Sequence, residues 1–94
     1  MTTERRVHVI VSGTVQGVGY RAWTADTARR HHLSGWVRNR RDGSVEAVFA
    51  GSQPAIDAML SDCHNGPPSS DVTAVHATET WEPVTPGFHI LPTV

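Results

Sequence analysis

The chain has 94 residues, 38% of them hydrophobic, with three Trp and a formal net charge of −1. That is enough for one two-layer core, and near neutrality leaves no long-range field to gather nucleic acid or an anionic membrane. All eight basic residues are Arg, so any anion site has to be local, built from backbone N–H groups and one or two arginines.

Cys63 is the only cysteine, which excludes an intrachain disulfide. Residues 1–6 lack the apolar run of a signal peptide, and no stretch is long and apolar enough to span a bilayer. The expectation is a soluble, cytoplasmic, monomeric protein with a single domain over residues 1–94.

Residues 6–12 predict the first strand, with Val7, Val9 and Val11 alternating on one face. Gly13 is expected to end it, and Gly13, Gly17 and Gly19 punctuate the loop that follows. From Tyr20 to about His32 the chain has neither Gly nor Pro, and Tyr20, Thr24, Ala28 and Thr27 or His31 form a helical stripe. Gly35 follows, and residues 36–39 read as a short strand. Asp42-Gly43 signals a hairpin, and residues 44–50 return with Val45, Ala47 and Phe49 alternating against Glu46 and Val48. Ser52 caps a second helix with Pro54 in its first turn. Ile56, Met59, Leu60 and Cys63 fall on one side of that helix, and Gly66-Pro67-Pro68 stops it. Residues 72–81 predict a long, mostly polar fourth strand. Pro86-Gly87 marks a turn, and residues 88–91 are a candidate short fifth strand.

The order β-α-β-β-α-β, with two helices to be buried on one face of an antiparallel sheet, predicts an α+β, ferredoxin-like sandwich. In that topology strands one and two run the same way. Residues 13–21 and Asn39 then emerge at one edge, with one strand, about 10 Å, between them.

The loop at 13–21 leads from a strand into a helix N-terminus, where unpaired N–H groups and the helix dipole favour an anion. Arg21 adds a planar fork suited to phosphate or carboxylate. An ordinary glycine-rich connection with an exposed arginine fits the same residues. No Gly-Lys-Ser/Thr follows, so this is not a nucleotide P-loop, and the dinucleotide fingerprint is absent too. Asn39 offers one acceptor and two donors, enough for a water and a phosphoryl oxygen, but Asn is equally common at the start of a hairpin turn.

Taken together, Gly-Thr-Val-Gln-Gly-Val-Gly-Tyr-Arg at 13–21 and Gly-Trp-Val-Arg-Asn-Arg-Arg-Asp-Gly-Ser-Val-Glu at 35–46 resemble the two signature segments of the acylphosphatase family. Residues 63–72 are similar to that family's link between second helix and fourth strand. The resemblance runs over residues 6–81, while residues 82–94 carry no role from it. It implies one acylphosphatase-like domain that hydrolyses the carboxyl–phosphate bond of an acyl phosphate to a carboxylate and inorganic phosphate. The family's arginine falls on Arg21 and its asparagine on Asn39. The resemblance assigns phosphate binding to Val15, Gln16, Gly17, Val18, Gly19, Tyr20 and Arg21, and water positioning to Asn39.

That chemistry explains what the chain lacks. A carboxylate leaves without a general acid, and a water held in line needs no Ser, Cys or Asp nucleophile. Neither a metal nor another cofactor is expected. The expected partner is a small-molecule acyl phosphate, with inorganic phosphate or sulfate able to occupy the loop, and neither nucleic acid nor membrane.

The remaining candidates have plainer readings. Six histidines are scattered without ligand spacing, and His31 and His32 point apart on a helix. Cys63 belongs to an apolar stripe, and Trp36 to packing. Trp23 sits beside Arg21, and Arg38, Arg40 and Arg41 flank Asn39, where they either raise the local potential or simply form a solvated hairpin, the commoner case. A non-catalytic anion sensor would keep the loop but has no need of a water-positioning amide. A single-stranded RNA binder wants aromatic platforms on the central strands, where the third strand offers only Phe49.

Overall fold

The computed structural model describes residues 4–94; Met1, Thr2 and Thr3, part of the segment read as carrying no signal peptide, lie outside the described residues. The elements are β1 (Glu4–Thr14), α1 (Tyr20–Arg30), β2 (Ser34–Asn39), β3 (Val45–Ser52), α2 (Gln53–Asn65), β4 (Asp71–Glu79) and β5 (Phe88–Ile90). The strand order is β4-β1-β3-β2-β5. β3 pairs antiparallel with both β1 and β2, so those two run the same way with β3 between them.

The ferredoxin-like expectation holds, with one correction: the sheet is mixed, because β5 pairs parallel to β2. The register explains the direction. β4 ends opposite the beginning of β1, Glu79 facing Val7, at the end of the sheet where β2 also begins. A chain that crosses that end to reach β2 has to run up beside it in the same sense. Backbone bonds pin both sides of the crossing, Thr80 N to Arg6 O at 3.1 Å and Gly35 N to Gly87 O at 3.0 Å.

The alternating valines of β1 turn one face of the sheet toward the helices. Val7, Val9 and Val11 are at most 1% exposed, and Ile56 and Met59 of α2 are fully buried with them. Ser52 Oγ caps α2 by accepting from Ala55 N at 3.3 Å. Phe49 stacks on Phe88 with ring centroids 5.6 Å apart, so the third strand's aromatic belongs to the core and is no stacking platform. Cys63 is core as expected: burial pushes its thiol up to about 12, which leaves no thiolate for nucleophilic chemistry.

Several boundaries differ from the periodicity. Gly13 does not end β1; it lies inside the strand, where the pairing with β4 shifts register between Ser12 and Gly13. A Cβ there would run into the Asp71 carbonyl oxygen, so the glycine is required by close approach of two strands. α1 stops at Arg30, two residues short of His32, which adopts φ 58° and lets Leu33 N bond back to Ala28 O at 2.9 Å. β4 stops at Glu79, and Trp81, expected in the strand, is 92% exposed.

On the helix-free face, Glu46 is held between His8 Nε2 at 2.6 Å and Arg38 Nε at 2.7 Å. Burial alone would raise its pKa, but hydrogen bonds from His8 and Arg38 outweigh it and leave Glu46 below the usual glutamate range. A depressed carboxyl contributes stability that is complete above its unfolded-state pKa and lost as pH falls through the lower folded value. Glu46→Gln should therefore lower the urea midpoint at pH 7, and the gap from the parent should close as pH is taken below about 4. A gap that persists undiminished at acid pH would contradict the ionic reading of this cluster.

Candidate active site

The loop between β1 and α1 is shaped by two glycines in the left-handed region, Gly17 at φ 74° and Gly19 at φ 79°. A Cβ at either position would meet open space, so the glycines serve the backbone angle rather than a close contact. Gly19 is the N-cap of α1 and brings no capping side chain. The two helices differ in this respect: Ser52 closes the first turn of α2, whereas no side chain caps the first turn of α1.

Gln16 fixes where the loop sits. Its Nε2 donates to Arg40 O at 2.6 Å and to Ser44 O at 2.8 Å, tying the loop to the β2–β3 hairpin. The hairpin is itself closed by Asp42 Oδ1, which accepts from Ser44 N at 2.9 Å and Ser44 Oγ at 2.6 Å. The Gln16 amide is thus committed to bracing, and what it has left for an anion is its backbone N–H. Val18 packs its side chain against the core, and the Tyr20 hydroxyl donates to Cys63 O at 2.8 Å. From Val15 to Tyr20 the loop presents main chain, not side chains.

Arg21 and Asn39 line a single cavity of about 290 Å³ together with Gly17, Gly19, Ala22 and Ile90. With a water occupying roughly 30 Å³, a phosphoryl group and several waters fit. Arg38 is committed to Glu46 and lies 4.6 Å over the Trp36 ring. It occupies the opposite face from Asn39, since neighbours on a strand alternate. Arg21 has no carboxylate partner among the described residues. Asn39 Oδ1 is buried and has no hydrogen-bond partner among the described residues.

The backbone of Asn39 is anchored from a direction that the sequence did not signal. Val94 N donates to Asn39 O at 3.1 Å, Arg41 N donates to Val94 O at 2.8 Å, and Leu91 N donates to Val37 O at 2.9 Å. The stretch 82–94, given no role by the motifs, runs along β2 to the edge where Asn39 lies and contributes Ile90 to the cavity wall. The apolar alternation of Phe88 and Ile90 hinted at a strand, but nothing in it named a pairing partner.

The sequence model of the acylphosphatase family matches residues 7–90. An acylphosphatase of Acidiphilium cryptum is 52% identical over 81 residues, covering 86% of this chain and 89% of that protein. One from Haloquadratum walsbyi is 51% identical over 88 residues, covering 94% and 95%. The solved acylphosphatase structure from Coxiella burnetii superimposes with a TM-score of 0.90 at 34% identity, covering 94% of this chain and 93% of that one. By motif, fold and similarity along nearly its whole length, the chain belongs to the acylphosphatase family, hydrolases that cleave the carboxyl–phosphate bond of acyl phosphates.

Proposed function

We propose that residues 1–94 act as one catalytic unit in which Arg21 holds the phosphoryl group and Asn39 aims the water that attacks it. The backbone N–H groups of Val15, Gln16, Gly17, Val18, Gly19 and Tyr20 turn toward the phosphoryl oxygens, and the uncapped end of α1 adds its dipole. Arg21 supplies two parallel donors and the positive charge that offsets the charge developing on those oxygens. Water attacks phosphorus, the carboxylate leaves with its electron pair, and the loop passes to holding inorganic phosphate.

The observation that carries this reading is the amide of Asn39. A buried acceptor without a partner costs about 1–3 kcal/mol; Asn39 Oδ1 has none among the described residues, and Asn39 lines the same cavity as Arg21. An amide carries an acceptor and two donors, so the Asn39 amide, turned to the cavity, can hold a water against a phosphoryl oxygen and orient it. The fixed backbone of Asn39 makes the aim reproducible, which is where the rate gain of a positioned nucleophile arises.

Substrate, on this reading, is a small acyl phosphate free in the cytoplasm, acted on by a monomer without metal. Purified protein should hydrolyse benzoyl phosphate in the presence of a chelator, with inorganic phosphate or sulfate competing for the loop. Absence of turnover above the spontaneous rate would defeat the proposal, and loss of activity to the chelator would defeat its metal-free form.

A further inference from the structure

The cavity that holds Arg21 and Asn39 is polar around the loop and apolar along one rim. Val15 and Tyr20 also line it, but they are 1% and 2% exposed and belong to the core. The apolar side chains that a ligand can reach are Ala22 and Ile90. Ile90 is 47% exposed, one of three large apolar residues so exposed among the described residues. A single exposed apolar residue is ordinary; one built into the wall of the cavity that Arg21 and Asn39 line is different.

Ile90 is held in place on both sides. Phe88 and Ile90 share one face of β5, and Phe88 is anchored in the core while its carbonyl accepts from Arg29 Nη2 at 2.9 Å. Beyond Ile90, Leu91 N bonds to Val37 O and Val94 N to Asn39 O. Ile90 stands opposite Val37 in the register, and Val37 and Asn39 lie two apart on β2, so all three face the same side. The strand thus carries its apolar side chain up to the amide and leaves it uncovered there.

We propose that Ile90, with Ala22, forms the acyl-group subsite, and that the chain selects acyl phosphates whose carboxyl bears an aromatic or branched apolar group. The inference rests on the phosphoryl group occupying the loop as proposed above. The acyl group is bonded to that phosphoryl group and so cannot leave its neighbourhood, and the solvent-facing apolar surface there is Ile90 and Ala22. Neither side chain offers a hydrogen bond, so acetyl and carbamoyl groups gain little from the wall, while a phenyl ring gains apolar contact with Ile90. Losing that contact should lower kcat/KM by roughly tenfold, the scale of a few apolar groups in a hydrophobic subsite.

The test compares kcat/KM for benzoyl phosphate and acetyl phosphate, with inorganic phosphate inhibition measured alongside, in the parent, Ile90→Ser and Ile90→Val. The parent is expected to favour benzoyl phosphate. Ile90→Ser should lower kcat/KM for benzoyl phosphate about tenfold, with a much smaller loss on acetyl phosphate and phosphate inhibition retained. Ile90→Val should recover most of the selectivity. Equal losses on both substrates, or an unchanged ratio, would overturn the subsite. A parent that is inhibited by phosphate and hydrolyses both substrates without preference overturns the subsite alone. A parent that hydrolyses neither and ignores phosphate overturns the catalytic reading beneath it.

Discussion

Asn39→Ala is expected to lower kcat on benzoyl phosphate by roughly 10²–10³-fold while leaving phosphate inhibition within about twofold of the parent. The split follows from the separate origins of grip and aim. In the proposed mechanism the grip comes from loop N–H groups, the open end of α1 and Arg21, none of which uses the Asn39 side chain. That side chain has a buried oxygen with no hydrogen-bond partner among the described residues, so truncation breaks no hydrogen bond of Oδ1 there. Its backbone bond to Val94 N is unaffected by the substitution. The unfolding midpoint should therefore stay close to that of the parent. A parallel fall in kcat and phosphate affinity would mean that Asn39 binds the phosphoryl group instead of the water.

Arg21→Lys should reduce both turnover and phosphate affinity, with kcat/KM falling by about 10³-fold and phosphate inhibition weakening by roughly tenfold. Charge is conserved in this substitution, so a large effect isolates geometry. A guanidinium presents two donors in one plane at the spacing of two phosphoryl oxygens, while an ammonium acts as a point charge. The larger loss in turnover is expected because charge on those oxygens rises toward the transition state. Arg21 has no carboxylate partner among the described residues, so the fold should tolerate the change. Parent-like kinetics in Arg21→Lys would show that the loop N–H groups suffice and that the fork is dispensable.

The parts of this molecule that could be read from residues are those governed by local chemistry. Alternating Val7, Val9 and Val11 predicted a half-buried strand, and Ile56, Met59 and Cys63 predicted the buried side of α2. The two motifs point to Arg21 and Asn39, and the direction of β2 relative to β1 makes them neighbours. What escaped was decided by contacts between distant segments. Gly13 looked like a strand end because glycine usually is one, yet its role is set by the Asp71 carbonyl across the sheet. Gln16 carries a phosphate-binding assignment from the motif, and only the hairpin carbonyls of Arg40 and Ser44 reveal its side chain as the brace. Residues 82–94 have weak periodicity, so their parallel run along β2, and with it the placement of Ile90, depends on where β4 happens to end.

The central claim is that a water aimed by Asn39 attacks phosphorus held in the loop, and oxygen-labelled water tests it most directly. Benzoyl phosphate hydrolysed by the protein in ¹⁸O-water should yield labelled inorganic phosphate and unlabelled benzoate. Label in the benzoate carboxylate would place the attack on the carbonyl carbon and contradict the account.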